Sequence, residues 1–141
     1  MAKKLLCGDA DPLVCGYIAA VFSILGHMFP IYFKFRGGKG VATALGVTTA
    51  LAWQTFPIVM IPFVIIVAVS KMISLGSIIS AVILPIATYF VYYFWYPECS
   101  PVVPTVATAV IALLIIFMHR TNIKRMVRGE ENKLGAKKSD E

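Results

Sequence analysis

The feature that most constrains the fold is a set of four long apolar blocks. They are Leu13–Phe33, Val41–Ser70, Leu75–Tyr96 and Val102–Met118. Of the 141 residues, 59% are hydrophobic and 14% are charged, whereas soluble domains average roughly 45–50% apolar and about 25% charged residues. This excess predicts an all-α, polytopic helix bundle embedded in a membrane.

The second block decides the number of spans. As one helix, Val41–Ser70 would be about 45 Å long, against a hydrocarbon core of about 30 Å. The stretch WQTFP (53–57) is typical of a membrane interface, so we predict two short helices, Val41–Trp53 and Phe56–Ser70. With two helices, but not with one, the basic loops lie on the same side of the membrane, as the positive-inside rule requires. The sequence predicts about five transmembrane helices with the C-terminus cytoplasmic.

Three basic segments, 26–46, 70–80 and 119–133, fall on that cytoplasmic side and hold the candidate site. They combine lysines and arginines with hydroxyls, an amide and both histidines, a mixture that predicts a pocket for an anion. The candidate residues are His27, Arg36, Gly37, Gly38, Lys39, Gly40, Ser74, Ser77, His119, Arg120, Asn122 and Arg125.

The glycine-rich loop is the strongest candidate for the anion. Gly37, Gly38 and Gly40 lack Cβ atoms, so their N–H groups can turn around an oxyanion. A helix beginning near Val41 would add its free N–H groups and positive dipole end. Lys39 supplies a charge beside them, and a flexible loop with membrane-typical charge is the simpler alternative.

The loop is not a nucleotide-binding Walker A motif. That motif needs a glycine five residues before its Gly-Lys pair and a Ser or Thr after it, positions that Phe33 and Gly40 occupy here. The three cysteines lack metal-ligand spacing and no acids are paired within the apolar blocks, so neither a metal site nor a carboxylate pair is expected.

Two candidate residues have ordinary structural alternatives. His27 could take a proton from a hydroxyl, or it could bond a backbone carbonyl freed by Pro30. Ser74 could bind a ligand, or it could cap the helix that follows it. After Met118, a short amphipathic helix is predicted, with Ile123, Met126 and Val127 on one face.

The motifs resemble those of the bacterial acyl-phosphate:glycerol-3-phosphate acyltransferase family. GHMFPIYFKFRGGKGVATALG (26–46) is similar to its second cytoplasmic motif, HRTNIKRMVRGEENKLG (119–135) to its third, and VSKMISLGSIISA (69–81) continues the resemblance. The resemblance implies transfer of a fatty acyl group from acyl phosphate to the 1-hydroxyl of glycerol 3-phosphate. The products would be lysophosphatidic acid and phosphate, in the first step of phospholipid synthesis, with no cofactor and no metal.

The resemblance also implies a location, partners and residue roles. The enzyme would be a multi-pass protein of the bacterial inner membrane with its active face cytoplasmic. Its partners would be both substrates, membrane lipids and an enzyme that forms acyl phosphate, but no nucleic acid. His27, Lys39, Ser77 and Asn122 would be catalytic, and the other candidates would bind substrate phosphate.

Family members look like seven-span proteins whose first cytoplasmic loop carries a Ser-Gly-Asn-Ile-Gly-Ala-Thr-Asn type motif. The present chain resembles the last five spans and lacks that motif. Residues 1–135 are therefore expected to form the C-terminal part of a membrane-embedded acyltransferase domain, with residues 136–141 as a polar tail. The alternatives are an inactive fragment or non-catalytic membrane subunit and, less favoured, an anion transporter.

Overall fold

The computed structural model describes residues 11–33 and 37–135, and every regular element in this part of the chain is a helix. The all-α prediction is thereby confirmed. Arg36 and the predicted tail 136–141 lie outside the described residues. The elements, in chain order, are α1 (Pro12–Met28), a 3-10 turn (Ile31–Phe33), α2 (Val41–Leu51), α3 (Thr55–Ser70), α4 (Ile73–Trp95), α5 (Val102–Met118) and α6 (Arg120–Val127).

The second apolar block is broken where the sequence predicts. The chain reverses between α2 and α3 through a tight turn, in which the Thr55 N–H donates to the Ala52 carbonyl at 3.0 Å and the Phe56 N–H to the Trp53 carbonyl at 3.1 Å. The two-helix prediction is therefore confirmed: the outer ends at Val41 and Ser70 are as predicted, and the two ends at the turn differ by one or two residues.

Helix α4 is the centre of the bundle. It packs against α5 on one side and α3 on the other, while α1 packs against α5 and α2. Small buried residues permit this close approach. A Cβ on Gly76 would lie 2.7 Å from the Cγ2 atom of Val67 in α3. The buried small residues in the first turns of α4 are Ser74, Gly76, Ser77, Ser80 and Ala81.

Successive reversals give the bundle two chemically different ends. At one, the basic end, His27, Lys39, Ser74 and His119 surround a single cavity. At the other, the tyrosine end, the hydroxyls of Tyr17 and Tyr92 are 3.3 Å apart and the Tyr96 hydroxyl donates to Gln54 Oε1 at 3.1 Å. The sequence prediction that the basic loops share a side agrees with this arrangement.

The segment after α6 folds back onto the turn between α3 and α4. Gly129 ends α6 with a φ of 73°, a left-handed conformation that glycine adopts without strain. The Leu134 N–H then donates to the Lys71 carbonyl at 2.7 Å. This return places Glu131 beside the start of α4.

The outward faces of the helices are apolar. Phe22 is 67% exposed and Val69 82% exposed, as expected of helices that face lipid. By length and composition, α4 is the one described helix that could cross a membrane unaided. Helices α5 and α6 qualify together, although they are bent by 57°, and α1, α2 and α3 are apolar but shorter. The count of five spans stays a prediction.

Candidate active site

A cavity of about 500 Å³ opens at the basic end of the bundle. The polar residues that line its mouth are His27, Lys39, Ser74, Ser77 and His119. Deeper, between α2, α3, α4 and α5, the lining becomes mostly apolar. That part is formed by Ala44, Leu45, Thr48, Val59, Met60, Phe63, Ser80, Ala81, Leu84 and Ile115. A cavity of this kind suits an amphiphile with an anionic head and a hydrocarbon tail.

The N-terminus of α2 forms one wall of the cavity mouth. Gly40 is the N-cap, is buried, and has a φ of 76°. A Cβ there would run into the Met28 side chain. Gly40, Val41 and Ala42 line the cavity together with Lys39. The unpaired N–H groups of a first helical turn, next to a lysine, are suited to bind an anion.

The other two loop glycines pack against the end of α1. The Gly38 N–H donates to the His27 carbonyl at 3.3 Å. A Cβ on Gly38 would collide with the His27 imidazole, and one on Gly37 would collide with backbone carbonyls of α1. Neither glycine lines the cavity. Their lack of side chains instead allows the loop to approach His27, whose own side chain is exposed and reaches the cavity.

His119 is the most enclosed polar group of the cavity. It is only 2% exposed, and its Nδ1 lies 2.8 Å from the Ile115 carbonyl. Because a carbonyl can only accept, Nδ1 carries a proton and Nε2 is the nitrogen available to a ligand. Burial lowers the pKa of the imidazole, and the charge of Lys39 lowers it further. His119 is therefore neutral at pH 7, with a lone pair on Nε2.

Stability is expected to fall as the pH drops below the usual histidine value of 6.5. Between the lowered folded-state pKa and 6.5, the unfolded chain binds a proton at His119 that the folded protein excludes. Lowering the pH through this window therefore favours the unfolded state. Thermal unfolding followed from about pH 7.5 to about pH 5.5 measures the slope. An identical slope in His119→Gln would contradict this origin.

Three buried polar side chains meet behind the cavity wall, where α4, α6 and the returning segment join. The Ser74 hydroxyl donates to Glu131 Oε1 at 2.7 Å. Asn122 Nδ2 donates to the same oxygen at 2.7 Å and to Ser74 Oγ at 2.8 Å. Ser74 faces the cavity, whereas Asn122 does not line it. Asn122, predicted to be catalytic, thus lies behind Ser74 as its hydrogen-bond partner.

Glu131 is the main residue that sequence reasoning missed. The sequence predicts a pocket of cations, yet this buried carboxylate lies beside it. Burial raises the pKa of Glu131, but the hydrogen bonds from Asn122 and Ser74 outweigh burial and lower it. The charges of Lys39 and Arg125 lower this pKa further. Glu131 is therefore ionised at neutral pH. In the sequence, the local signal for a buried carboxylate here is the acidic pair Glu130 and Glu131 within the basic segment 119–133.

The alternative of helix capping by Ser74 does not hold. The N-cap of α4 is Met72, and Ser74 lies inside the helix with its hydroxyl bonded to Glu131. The turn before α4 is instead closed by Ser70, whose hydroxyl accepts from the Met72 N–H at 3.1 Å.

The remaining candidates separate into one inside the cavity and two outside it. Ser77 is 4% exposed and lines the cavity, and no described residue hydrogen-bonds its hydroxyl. Arg120 and Arg125 are exposed and do not line it. The Arg120 guanidinium lies over the Phe117 ring, 4.7 Å from its centroid, and donates to the Phe117 carbonyl at 3.2 Å.

Together, these elements form a helical bundle with a cavity whose mouth is cationic and whose interior is mostly apolar. Residues 2–129 match the family model for glycerol-3-phosphate acyltransferase. This chain therefore belongs to the glycerol-3-phosphate acyltransferase family.

The chain is similar in sequence to glycerol-3-phosphate acyltransferases of several organisms. The glycerol-3-phosphate acyltransferase of Shouchella clausii is 40% identical over 137 residues, covering 97% of this chain and 64% of that protein. That of Actinobacillus succinogenes is 36% identical over 140 residues, covering 92% of this chain and 65% of that protein. For the relative from Bartonella henselae, the match covers 53% of its length. The chain thus spans between about half and two thirds of these relatives.

The fold of this chain also matches that of two solved crystal structures. The crystal structure of PlsY (YgiH), an integral membrane glycerol 3-phosphate acyltransferase, in its glycerol 3-phosphate form superposes with a TM-score of 0.67 at 32% identity. That match covers 87% of this chain and 67% of PlsY. The lysophosphatidic acid form of the same enzyme superposes equally well, at 31% identity.

Proposed function

We propose that this chain binds glycerol 3-phosphate at the basic end and transfers to its 1-hydroxyl a fatty acyl group from acyl phosphate. The products are lysophosphatidic acid and inorganic phosphate. The bundle lies in the bacterial inner membrane with the basic end at the cytoplasmic surface. The observation that carries the proposal is the cavity, whose mouth is cationic and whose interior is mostly apolar.

The polar mouth suits the phosphate groups of both substrates. Lys39 and the first N–H groups of α2 stabilise phosphate oxygens by charge and by aligned dipoles. The Ser77 hydroxyl adds a donor inside the cavity. Because both substrates carry phosphate, positioning two anions next to each other is the main task of these groups.

The apolar interior suits the acyl chain. Ser74 and Leu84 both line the cavity, and Leu84 lies ten positions further along α4, which corresponds to about 15 Å of helix. An acyl chain lying along this wall would stay in apolar surroundings, as it does in the bilayer. The carbonyl carbon would then lie near the cationic mouth, next to the glycerol hydroxyl.

The reaction needs no protein nucleophile, because acyl phosphate is an activated mixed anhydride. The 1-hydroxyl oxygen attacks the acyl carbon, the bond from that carbon to the phosphate oxygen breaks, and phosphate leaves with the electron pair. The hydroxyl proton passes either to a phosphate oxygen or to a histidine at the mouth. Neutral His119, with Nε2 free, fits the second role, and His27 can orient the glycerol at the entrance.

Donor and acceptor are tested with the purified chain in detergent or in phosphatidylcholine vesicles. Radiolabelled glycerol 3-phosphate is supplied with palmitoyl phosphate or with palmitoyl-CoA. We expect labelled lysophosphatidic acid, with one phosphate released per product, from palmitoyl phosphate alone. Equal product from palmitoyl-CoA would overturn the donor assignment. Absence of both product and glycerol 3-phosphate binding would overturn the function.

Gly38→Ala is expected to weaken glycerol 3-phosphate binding about tenfold, or about 1.4 kcal/mol. The added methyl collides with the His27 imidazole, which must turn away from its position at the cavity mouth. Isothermal titration measures the affinity. Gly46→Ala is the matched control, because a Cβ at that helical position meets nothing within 4 Å and should leave affinity unchanged. Equal affinity of both variants would contradict the role of the loop.

A further inference from the structure

The outward face of α6 is rich in cations, whereas its inward side carries the buried Asn122. Its cations are all exposed, and they continue into the segment that follows the helix: Arg120, Lys124, Arg125, Arg128 and Lys133. The acids of the same segment are Glu130, which is exposed, and Glu131, which is buried against Ser74 and Asn122. The exposed charge of this face is therefore strongly positive.

Exposed apolar groups lie among these cations. Val127 is 84% exposed, and Phe117 and Leu134 are each 54% exposed. The Arg120 guanidinium covers part of the Phe117 ring at the last turn of α5. Since α6 bends away from α5 by 57°, this face lies across the end of the bundle instead of continuing along it. Basic and apolar side chains side by side are typical of a helix at a bilayer surface.

The inner side of the same helix carries the site. His119, the N-cap of α6, lines the cavity. Asn122, inside the helix, donates hydrogen bonds to Ser74 and Glu131. Anything that fixes the outer face of α6 therefore also fixes the positions of His119 and Asn122. Few tertiary contacts hold the helix, mainly those to the end of α5 and through Asn122.

We propose that the outward face of α6 binds the headgroups of anionic phospholipids, and that this binding holds His119 and Asn122 in place for the reaction. Charge complementarity selects the occupant: a row of cations at the end of an apolar bundle faces the phosphates of the bilayer surface. The lipid contact rests on the proposed membrane placement alone, whereas its link to the site rests also on the proposed acyl transfer.

Lipid contact is measured without an activity assay. Val127→Trp is introduced into the full chain after Trp53 and Trp95 have been replaced by Phe, so that one tryptophan reports on the face. The protein is placed in vesicles that contain brominated phosphatidylglycerol or brominated phosphatidylcholine at equal mole fraction. We expect quenching by the phosphatidylglycerol to be about twofold stronger or more, and to weaken as salt screens the surface.

Two double variants show whether charge is the cause. Lys124→Gln with Arg128→Gln should abolish the preference for the anionic lipid. Lys124→Arg with Arg128→Lys, which keeps both charges, should retain it. Equal quenching by the two lipids in the parent, or a preference that survives the glutamines, would overturn the proposal. A preference abolished by inorganic phosphate but not by chloride at the same ionic strength would also overturn it, since the face would then bind free phosphate.

The link to the site is measured by kinetics in the same vesicles. Phosphatidylglycerol should raise kcat/KM of the parent about threefold or more over phosphatidylcholine alone. The Lys124→Gln, Arg128→Gln variant should keep the basal rate and lose the stimulation. Stimulation that persists in this variant would overturn the link. If no lipid supports acyl transfer, the proposed function fails, while the quenching experiment still decides the lipid contact.

Discussion

Replacing Lys39 by Met is expected to lower kcat/KM for acyl transfer at least about 100-fold, or about 2.7 kcal/mol. Lys39 is the one described cation that lines the cavity, next to the N-terminus of α2. Methionine keeps much of the length and apolar stem of lysine but removes the charge that holds phosphate oxygens. The loss should appear as weaker glycerol 3-phosphate binding as well as a slower reaction, because the same charge serves both.

The matched control for Lys39→Met is Lys133→Met. Lys133 is also exposed and lies near the basic end, but it does not line the cavity. Its kcat/KM should stay within about twofold of the parent. Calorimetric titration with glycerol 3-phosphate provides a second measurement that does not need turnover. If the two methionine variants behave alike in both measurements, Lys39 does not bind phosphate.

Glu131→Ala is expected to destabilise the protein by about 3 kcal/mol or more. Removal of the carboxylate leaves the Ser74 hydroxyl and the Asn122 amide buried without their shared acceptor. It also frees the returning segment from α4. Thermal unfolding in detergent should show a melting temperature several degrees lower, and less protein should be recovered from membranes.

Glu130→Ala is the control for this substitution, since it removes the same charge one residue earlier from an exposed side chain. Its stability should change by no more than about 0.5 kcal/mol. Glu131→Gln should be intermediate, because its amide oxygen can still accept from Ser74 and Asn122. Equal melting temperatures for the two alanine variants would show that the buried hydrogen bonds contribute nothing to stability.

Much of the helical architecture could be predicted because its signals are local. The bounds of α5 follow from an apolar run without a charged residue, and the break between α2 and α3 follows from WQTFP at 53–57. The position of Lys39 at a cavity mouth follows from a glycine-rich loop before a helix. Each of these inferences needs only a short window of sequence and the dimensions of a helix or a bilayer.

The parts that could not be predicted depend on distant contacts. Ser74 and Glu131 are 57 residues apart, so no local pattern connects them. Arg120 and Asn122 are neighbours in one motif, yet one turns outward onto Phe117 and the other inward to Glu131. The direction of each side chain follows from the 57° bend after α5, which sequence periodicity does not specify.

The bond from Leu134 to the Lys71 carbonyl has a consequence for biosynthesis. A ribosome delivers the start of α4 well before the segment that carries Glu131, and α5 emerges in between. During that interval Ser74 has neither its carboxylate nor its amide partner. The wall of the cavity therefore closes only when the returning segment emerges, and a nascent chain halted after α5 would hold every helix of the cavity around an unfinished site.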